Sequence, residues 1–88
     1  MKAIRITAIW CMSCLVMRNR YDKLFKEYGV DEVIDLDYDE DDLSAYEIGD
    51  TLPIVIIKKD DKEVKRIVGE KSKKDLKKIF ESIKILAK

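Results

Sequence analysis

The sequence predicts a single α/β domain over residues 1–88, in which helices flank a four-stranded mixed sheet. Apolar residues twice change from a strand-like run to a spacing of three and four, which is typical of a helix that follows a strand. In addition, Ile54-Val55-Ile56-Ile57 is a run of four β-branched residues, which indicates a strand buried on both faces in the middle of a sheet. The predicted order is βαβ and then ββα, with a short helix or loop between the two halves.

The first half of the chain has the pattern of a strand, a helix and a second strand. Residues Lys2 to Ile9 are mainly apolar and predict a strand. A helix follows and ends at Gly29; its apolar stripe consists of Met17, Tyr21, Leu24, Phe25 and Tyr28. From Val30 to Tyr38 apolar and acidic residues alternate, as in a strand with one buried face; the apolar positions are Val33, Ile34, Leu36 and Tyr38. The three elements should form a right-handed parallel unit.

The middle of the chain is polar until the β-branched strand begins. Acidic residues alternate from Asp37 to Asp41 as calcium ligands do, but Asp42 stands where a calcium loop needs glycine, so no metal site is predicted. Residues Leu43 to Ile48 are sufficient for a short helix or an ordered loop. Pro53, the only proline, stands at the first position of the Ile54–Ile57 strand, where a missing N–H group is tolerated.

The last third of the sequence predicts a hairpin and a helix. A polar turn from Lys58 to Glu63 leads to an antiparallel edge strand from Val64 to Val68. Ser72-x-x-Asp75 is a capping box that opens the final helix. The apolar stripe of this helix consists of Leu76, Ile79, Phe80, Ile83 and Leu86.

Composition excludes several classes of function. The 18 basic and 18 acidic residues cancel, so no net charge favours binding to nucleic acid. Histidine is absent, which excludes Cys-His proteases and Cys/His zinc sites. The apolar N-terminal run contains Arg5 and lacks a small-residue cleavage site, so we expect no signal peptide, no membrane association and a cytoplasmic location.

The only two cysteines lie in the motif Trp10-Cys11-Met12-Ser13-Cys14, between the first predicted strand and the first predicted helix. At a helix N-terminus, unpaired N–H groups and the helix dipole favour the thiolate over the thiol. In such motifs the pKa of a cysteine falls from about 8.5 to roughly 3.5–7.5, which supplies a nucleophile at neutral pH. Thiol-disulfide exchange is therefore the predicted chemistry, with metal binding and inert packing as the alternatives.

Three stretches in order resemble the thioredoxin superfamily. They are Thr7 to Cys14, which is similar to the strand and Trp-Cys-x-x-Cys motif of thioredoxins, Thr51-Leu52-Pro53, which resembles the active-site proline loop, and Val68 to Ser72 with Leu76, which resembles the final glycine and helix. The size is closer to that of glutaredoxins, because the chain starts directly at the motif strand. The resemblance implies the thioredoxin fold, with the cysteine strand and the Pro53 strand adjacent at the centre of the sheet.

The resemblance also implies roles for individual residues. Cys11 would be the attacking thiolate and Cys14 the resolving thiol of a thiol-disulfide oxidoreductase that reduces or exchanges disulfides in proteins. Pro53 would be cis, and the backbone of Leu52 would pair with an extended substrate segment. Substrate binding would involve these two residues together with Trp10, Met12, Ser13 and Gly69.

The same resemblance implies how the dithiol would be restored and in which processes the protein would take part. An upstream reductase would restore the dithiol, either thioredoxin reductase or the glutathione system, and no cofactor is expected. We expect a monomer that takes part in electron transport and cell redox homeostasis.

Two features differ from the family pattern. Met12-Ser13 replaces the Gly-Pro of thioredoxins and the Pro-Tyr of glutaredoxins, so the redox potential does not follow by analogy. Arg5 lies six residues before Cys11, where thioredoxins place a buried acid thought to help deprotonate the resolving thiol.

Alternative interpretations remain open for the motif and for two of its neighbours. A glutathione-linked glutaredoxin is one alternative, although Gly69 is followed by Glu70 and Lys71 rather than by the residues that grip glutathione. Zinc or an iron-sulfur cluster bridging two chains is another, since two thiolates from each chain make a four-sulfur site. Trp10 could be a core aromatic residue, and Pro53 an ordinary trans proline.

Overall fold

The computed structural model describes residues 1–86 and has four strands and two helices within that range. The elements are β1 (Lys2–Thr7), α1 (Met12–Glu27), β2 (Glu32–Asp37), a short 3₁₀ turn (Ser44–Tyr46), β3 (Ile54–Lys59), β4 (Lys62–Val68) and α2 (Lys73–Leu86). The sheet order is β2-β1-β3-β4, with β1 parallel to β2 and β3 antiparallel to both β1 and β4. The predicted mixed sheet is confirmed, and the strand that leads to the cysteines lies at its centre beside the strand that follows Pro53.

Three strand boundaries in the first half of the chain differ from the predicted ones. β1 ends at Thr7 rather than Ile9, because the chain turns there to enter α1 and the Cys11 N–H bonds to the Ala8 carbonyl at 3.1 Å. β2 is shorter at both ends than predicted, since Gly29, with φ +68°, and the bond from Val30 N–H to the Phe25 carbonyl belong to the end of α1.

The hairpin between β3 and β4 is tighter than the predicted turn from Lys58 to Glu63. Its loop is only Asp60-Asp61, and both residues have positive φ, 51° and 65°. Two-residue hairpin loops of this handedness match the twist of the strands, and aspartate tolerates the left-handed region better than most residues. Both strands therefore extend further toward the turn than the apolar pattern alone indicates.

The sheet separates two apolar clusters. Both helices pack on one face, where the largest buried side chains are Met17, Tyr21, Phe25, Leu76, Phe80 and Ile83. The stripe residue Ile79 is partly buried there, while the side chain of Leu86 lies outside the described part of the chain. On the other face the strands supply Ile4, Ile6, Ile54 and Ile56, covered by residues of the segment 38–52. The predicted short helix or loop is thus a mainly irregular segment with one 3₁₀ turn.

The apolar residues of β2 lie on both faces of the sheet, and a side-chain cap opens α2. Ile34 and Leu36 of β2 pack on the second cluster, but Val33 points to the opposite face and is exposed, so its assignment to the buried face was wrong. Adjacent residues of a strand point to opposite faces, so Val33 and Ile34 do not both lie on the buried face. At the start of α2 the Asp75 N–H donates to Ser72 Oγ at 3.1 Å, as the capping box predicts.

Candidate active site

The two cysteines occupy the first turn of α1. Cys11 is the N-cap residue, with extended backbone (φ −92°, ψ 105°), and the N–H of Cys14 donates to Cys11 Sγ at 3.2 Å. Both residues are free thiols and are buried, and the first turn of the helix contains no acidic residue. Negative charge on Cys11 Sγ is therefore favoured by a backbone N–H donor and by the positive end of the helix dipole.

Cys14 has a different environment although it lies only three residues further along. Burial raises the pKa of its thiol to about 11, and the hydrogen bond with Cys11 contributes in the same direction. The Cys14 thiol is consequently protonated at neutral pH. The two sulfurs thus differ, since Cys11 Sγ accepts a backbone hydrogen bond and the buried Cys14 thiol holds its proton.

The loop before β3 lies against the cysteines. Leu52 belongs to the same apolar cluster as Cys11 and Cys14, and the Leu52–Pro53 peptide bond is cis, as the resemblance implied. The Pro53 carbonyl accepts the N–H of Gly69 at 2.9 Å, which fastens the loop to the end of β4. Gly69 has φ +84°, a conformation that favours glycine. Leu52, Pro53 and Gly69 are therefore brought together beside the cysteine pair.

Trp10 lies at the rim of the site rather than in the core, with 59% of its surface exposed. Its indole Nε1–H donates to Asp39 Oδ2 at 2.6 Å, and its ring meets the Tyr38 ring edge to face with centroids 6.1 Å apart. The core-aromatic interpretation of Trp10 is therefore wrong.

Exposed apolar side chains continue from Trp10 around the motif, with Ile9 at 90% and Met12 at 73% exposure, while Ser13 is half-buried. Apolar surface of this kind next to a reactive group is typical of a place where another molecule binds.

The family model described as Thioredoxin matches residues 2–82. The chain belongs to the thioredoxin family. No functionally curated protein matches the sequence significantly.

Solved thioredoxin structures have the same fold. Thioredoxin 1 from the thermophilic eubacterium Thermosipho africanus is 26% identical, with a TM-score of 0.74 and 100% of both chains covered. Thioredoxin-2 of the malaria parasite is 24% identical, with a TM-score of 0.76 over 92% of this chain and 81% of that one. Thioredoxin from Fasciola hepatica is 23% identical, with a TM-score of 0.75 over 92% and 78% of the two chains.

Arg5, six residues before Cys11, is a buried charged residue on β1, where the resemblance implied a buried acid. Arg5 is only 4% exposed, and its guanidinium bonds to both carboxylate oxygens of Asp35, at 2.6 and 3.3 Å, and to Asp22 Oδ1 at 2.8 Å. Burial lowers the pKa of Arg5, but hydrogen bonds and charge attraction from the two aspartates outweigh it and raise the pKa overall. A thioredoxin chain can therefore hold a charged arginine here, because β2 and α1 each supply an acid.

The partners of Arg5 were not predicted from the sequence. Asp35 faces Arg5 in the parallel register of β1 and β2, and Asp22 lies on α1 above the same sheet face. Asp35 could have been identified from the sequence, because β1 and β2 were predicted to pair in parallel and Arg5 and Asp35 stand at matching positions of the two strands.

A cavity of about 220 Å³ opens behind Cys14. Its polar lining comes from Arg5 and Thr7 on β1, Asp37 at the end of β2, and Arg18 on α1. Among residues 1–86 no group of three or more histidine, cysteine, aspartate or glutamate side chains is arranged to hold a metal ion. Within the same range, neither helix has the length and apolar character needed to span a bilayer.

Proposed function

We propose that this chain is a thiol-disulfide oxidoreductase that exchanges disulfides with protein substrates through Cys11 and Cys14. The observation that carries the proposal is the difference between the two sulfurs. Cys11 Sγ accepts the Cys14 N–H at the start of α1, whereas the Cys14 thiol is buried and keeps its proton. In a pair of this kind one sulfur attacks the substrate disulfide, and the other then resolves the mixed disulfide.

The proposed reaction has two displacement steps. The Cys11 thiolate attacks a substrate disulfide, so that a Cys11–substrate bond forms, the substrate S–S bond breaks, and the leaving thiolate takes a proton from solvent. Cys14 then gives up its proton and attacks Cys11 Sγ, so that the Cys11–Cys14 bond forms, the Cys11–substrate bond breaks and the second substrate thiol is released. The substrate gains two electrons and two protons, and the protein is left with a Cys11–Cys14 disulfide.

The surroundings of the pair suit an extended protein segment. Trp10 and Met12 offer exposed apolar surface on one side of the cysteines, and Leu52 with cis-Pro53 lies on the other. A substrate strand that pairs with the Leu52 backbone would bring its disulfide to Cys11. Ser13 and Gly69 complete the proposed substrate-binding residues.

The proposal extends to the cellular setting of a cytoplasmic monomer. An upstream reductase, either thioredoxin reductase or the glutathione system, would restore the dithiol. The reduction potential of the Cys11–Cys14 pair decides whether the chain acts as a reductant or an oxidant. The recharging system can be identified by supplying each reductant in turn to the oxidised protein.

Substitution of each cysteine tests the mechanism. In an insulin-disulfide reduction assay with dithiothreitol, Cys11→Ser should reduce insulin no faster than the uncatalysed reaction, because the attacking sulfur is gone. Cys14→Ser should instead accumulate a mixed disulfide, visible as a shift in mass that is reversed by reductant. Ser82→Ala, at an exposed position of α2, is the matched control and should retain wild-type activity.

Two outcomes would contradict the proposal. One is wild-type insulin reduction by Cys11→Ser. The other is stoichiometric zinc or iron bound to the two thiolates in protein purified without chelator, which would favour a metal-binding module instead.

A further inference from the structure

The second step of the proposed reaction requires Cys14 to lose its proton. Burial keeps this thiol protonated at neutral pH, and only the thiolate attacks a disulfide efficiently. Arg5 on β1 lies near Cys14, but a guanidinium has no capacity to accept a proton. A proton acceptor in the protein would have to be a different group near Cys14.

The cavity behind Cys14 contains one candidate acceptor. Asp37 lines it together with Cys14, and its Cα is the register partner of Thr7 on the neighbouring strand. Arg5 and Thr7 are two residues apart on β1, so their side chains share the sheet face toward α1. Asp37 is the register partner of Thr7 and therefore lies on that face as well. The cavity of about 220 Å³ has polar groups in its lining and room for several water molecules, since one water occupies roughly 30 Å³ in the liquid.

The other nearby acids are committed elsewhere. Asp35 and Asp22 both hold the Arg5 guanidinium and do not line the cavity. Asp37 is bonded differently, because its Oδ1 accepts the N–H groups of Asp39 and Glu40 at 2.8 and 3.2 Å. These bonds fix the carboxylate in place without neutralising its charge.

We infer that Asp37 accepts the proton of Cys14 through water in this cavity when Cys14 attacks the mixed disulfide. The inference rests on the proposed function. The Cys14 S–H bond breaks as the Cys14–Cys11 bond forms, the proton passes by way of water to the Asp37 carboxylate, and the electron pair of the broken Cys11–substrate bond leaves on the substrate sulfur. Asp37 later returns its proton to solvent.

The charged groups around Asp37 define its setting. Arg5 from β1 and Arg18 from α1 line the same cavity, and the Asp41 carboxylate accepts the backbone N–H of Asp37 at 2.6 Å. The two guanidinium groups and the Asp41 carboxylate are therefore the charged groups nearest to the proposed proton transfer.

Reaction of the fully reduced protein with 5,5′-dithiobis(2-nitrobenzoate) separates the two steps. Attack by Cys11 releases one equivalent of coloured thiolate, and resolution by Cys14 releases the second. In stopped-flow measurements at pH 7, Asp37→Asn should slow the second release by about tenfold or more and leave the first within about twofold. Asparagine can still accept the two N–H groups. Asp42→Asn, which removes the same charge from the same acidic run, is the matched control and should leave both releases unchanged.

Wild-type protein alone gives an independent test. With Asp37 as acceptor, the second release should be nearly independent of pH between 6 and 9. Without an acceptor, its rate should rise about tenfold per pH unit, following the thiolate fraction of Cys14. Such a rise, or equal second releases in Asp37→Asn and wild type, would overturn the inference. If wild type releases only one equivalent, the proposed function itself fails.

Discussion

At the scale of single residues, the least expected feature is a charged arginine in the interior of the sheet. Arg5 is tolerated because its guanidinium has carboxylate partners on two different elements and lies 5.7 Å from the centroid of the Phe25 ring. A buried charge that loses a partner is costly, because desolvation is then no longer offset.

Removal of one partner of Arg5 tests this account. Asp35→Ala should lower the free energy of unfolding by about 2 kcal/mol, less than for a fully buried pair because Asp35 is half exposed. Asp31→Ala is the matched control, since Asp31 is 83% exposed and pairs with the N-terminal ammonium at 3.0 Å. Its effect should stay below about 0.5 kcal/mol.

Urea denaturation monitored by circular dichroism measures both values. Similar losses in the two variants would mean that Arg5 does not depend on its partner on β2.

At the scale of elements, the connection between β4 and α2 supports the loop that faces the cysteines. The Gly69 N–H bonds to the Pro53 carbonyl, and Gly69 has positive φ. A Cβ at Gly69 would lie 3.4 Å from Thr51 Cγ2, an ordinary contact, so the backbone conformation rather than crowding makes substitution unfavourable.

Replacement of this glycine should therefore affect both stability and activity. Gly69→Ala should cost about 1–2 kcal/mol of unfolding free energy from the left-handed conformation, and should lower the rate of insulin reduction as the Pro53 loop shifts. Gly49→Ala is the control, because Gly49 has ordinary φ and open space around it. Equal behaviour of the two variants in thermal unfolding and in the activity assay would contradict this role of Gly69.

The order of elements could be predicted from the sequence, because local periodicity and the β-branched run of Ile54–Ile57 determine it. The cis form of Pro53 was available only through the family resemblance, since no local rule distinguishes it from a trans proline. The partners of Arg5 depend on the register of β1 with β2 and on where α1 packs. Both are set by contacts between residues far apart in the sequence, so local patterns do not predict them. The Asp60-Asp61 turn was missed because aspartate pairs are weaker turn signals than Asn-Gly or Asp-Gly.

At the scale of the whole molecule, the sheet face that both helices cover contains an aromatic cluster that includes a tyrosine hydroxyl. The ring centroids of Tyr21, Phe25 and Phe80 are 5.6 to 6.4 Å apart. The Tyr21 hydroxyl is buried there and has no hydrogen-bond partner among residues 1–86. Burial also raises the pKa of Tyr21 above its ordinary value of 10.

Tyr21→Phe should accordingly keep or increase global stability. At pH 7 we expect a gain of up to about 1 kcal/mol, because an unpaired buried hydroxyl costs free energy. Above pH 10 wild type should lose stability as the unfolded tyrosine ionises, since the folded pKa is the higher one and the folded state keeps the proton. The variant should lose less between pH 10 and 11.5 in urea titrations. A parallel decline of both proteins would show that Tyr21 does not govern alkaline unfolding.

The irregular segment 38–52 has a further consequence for the molecule. It covers the apolar face formed by Ile4, Ile6, Ile54 and Ile56, and it also carries Asp39, which holds Trp10, and ends at Leu52 beside the cysteines. Segments with little regular hydrogen bonding open locally more easily than the strands and helices beside them. A local opening here would hydrate this apolar cluster and displace both the hydrogen-bond partner of Trp10 and Leu52 in one event. We therefore expect the lifetime of the proposed substrate-binding surface to follow the hydrogen-exchange protection of this segment rather than global unfolding.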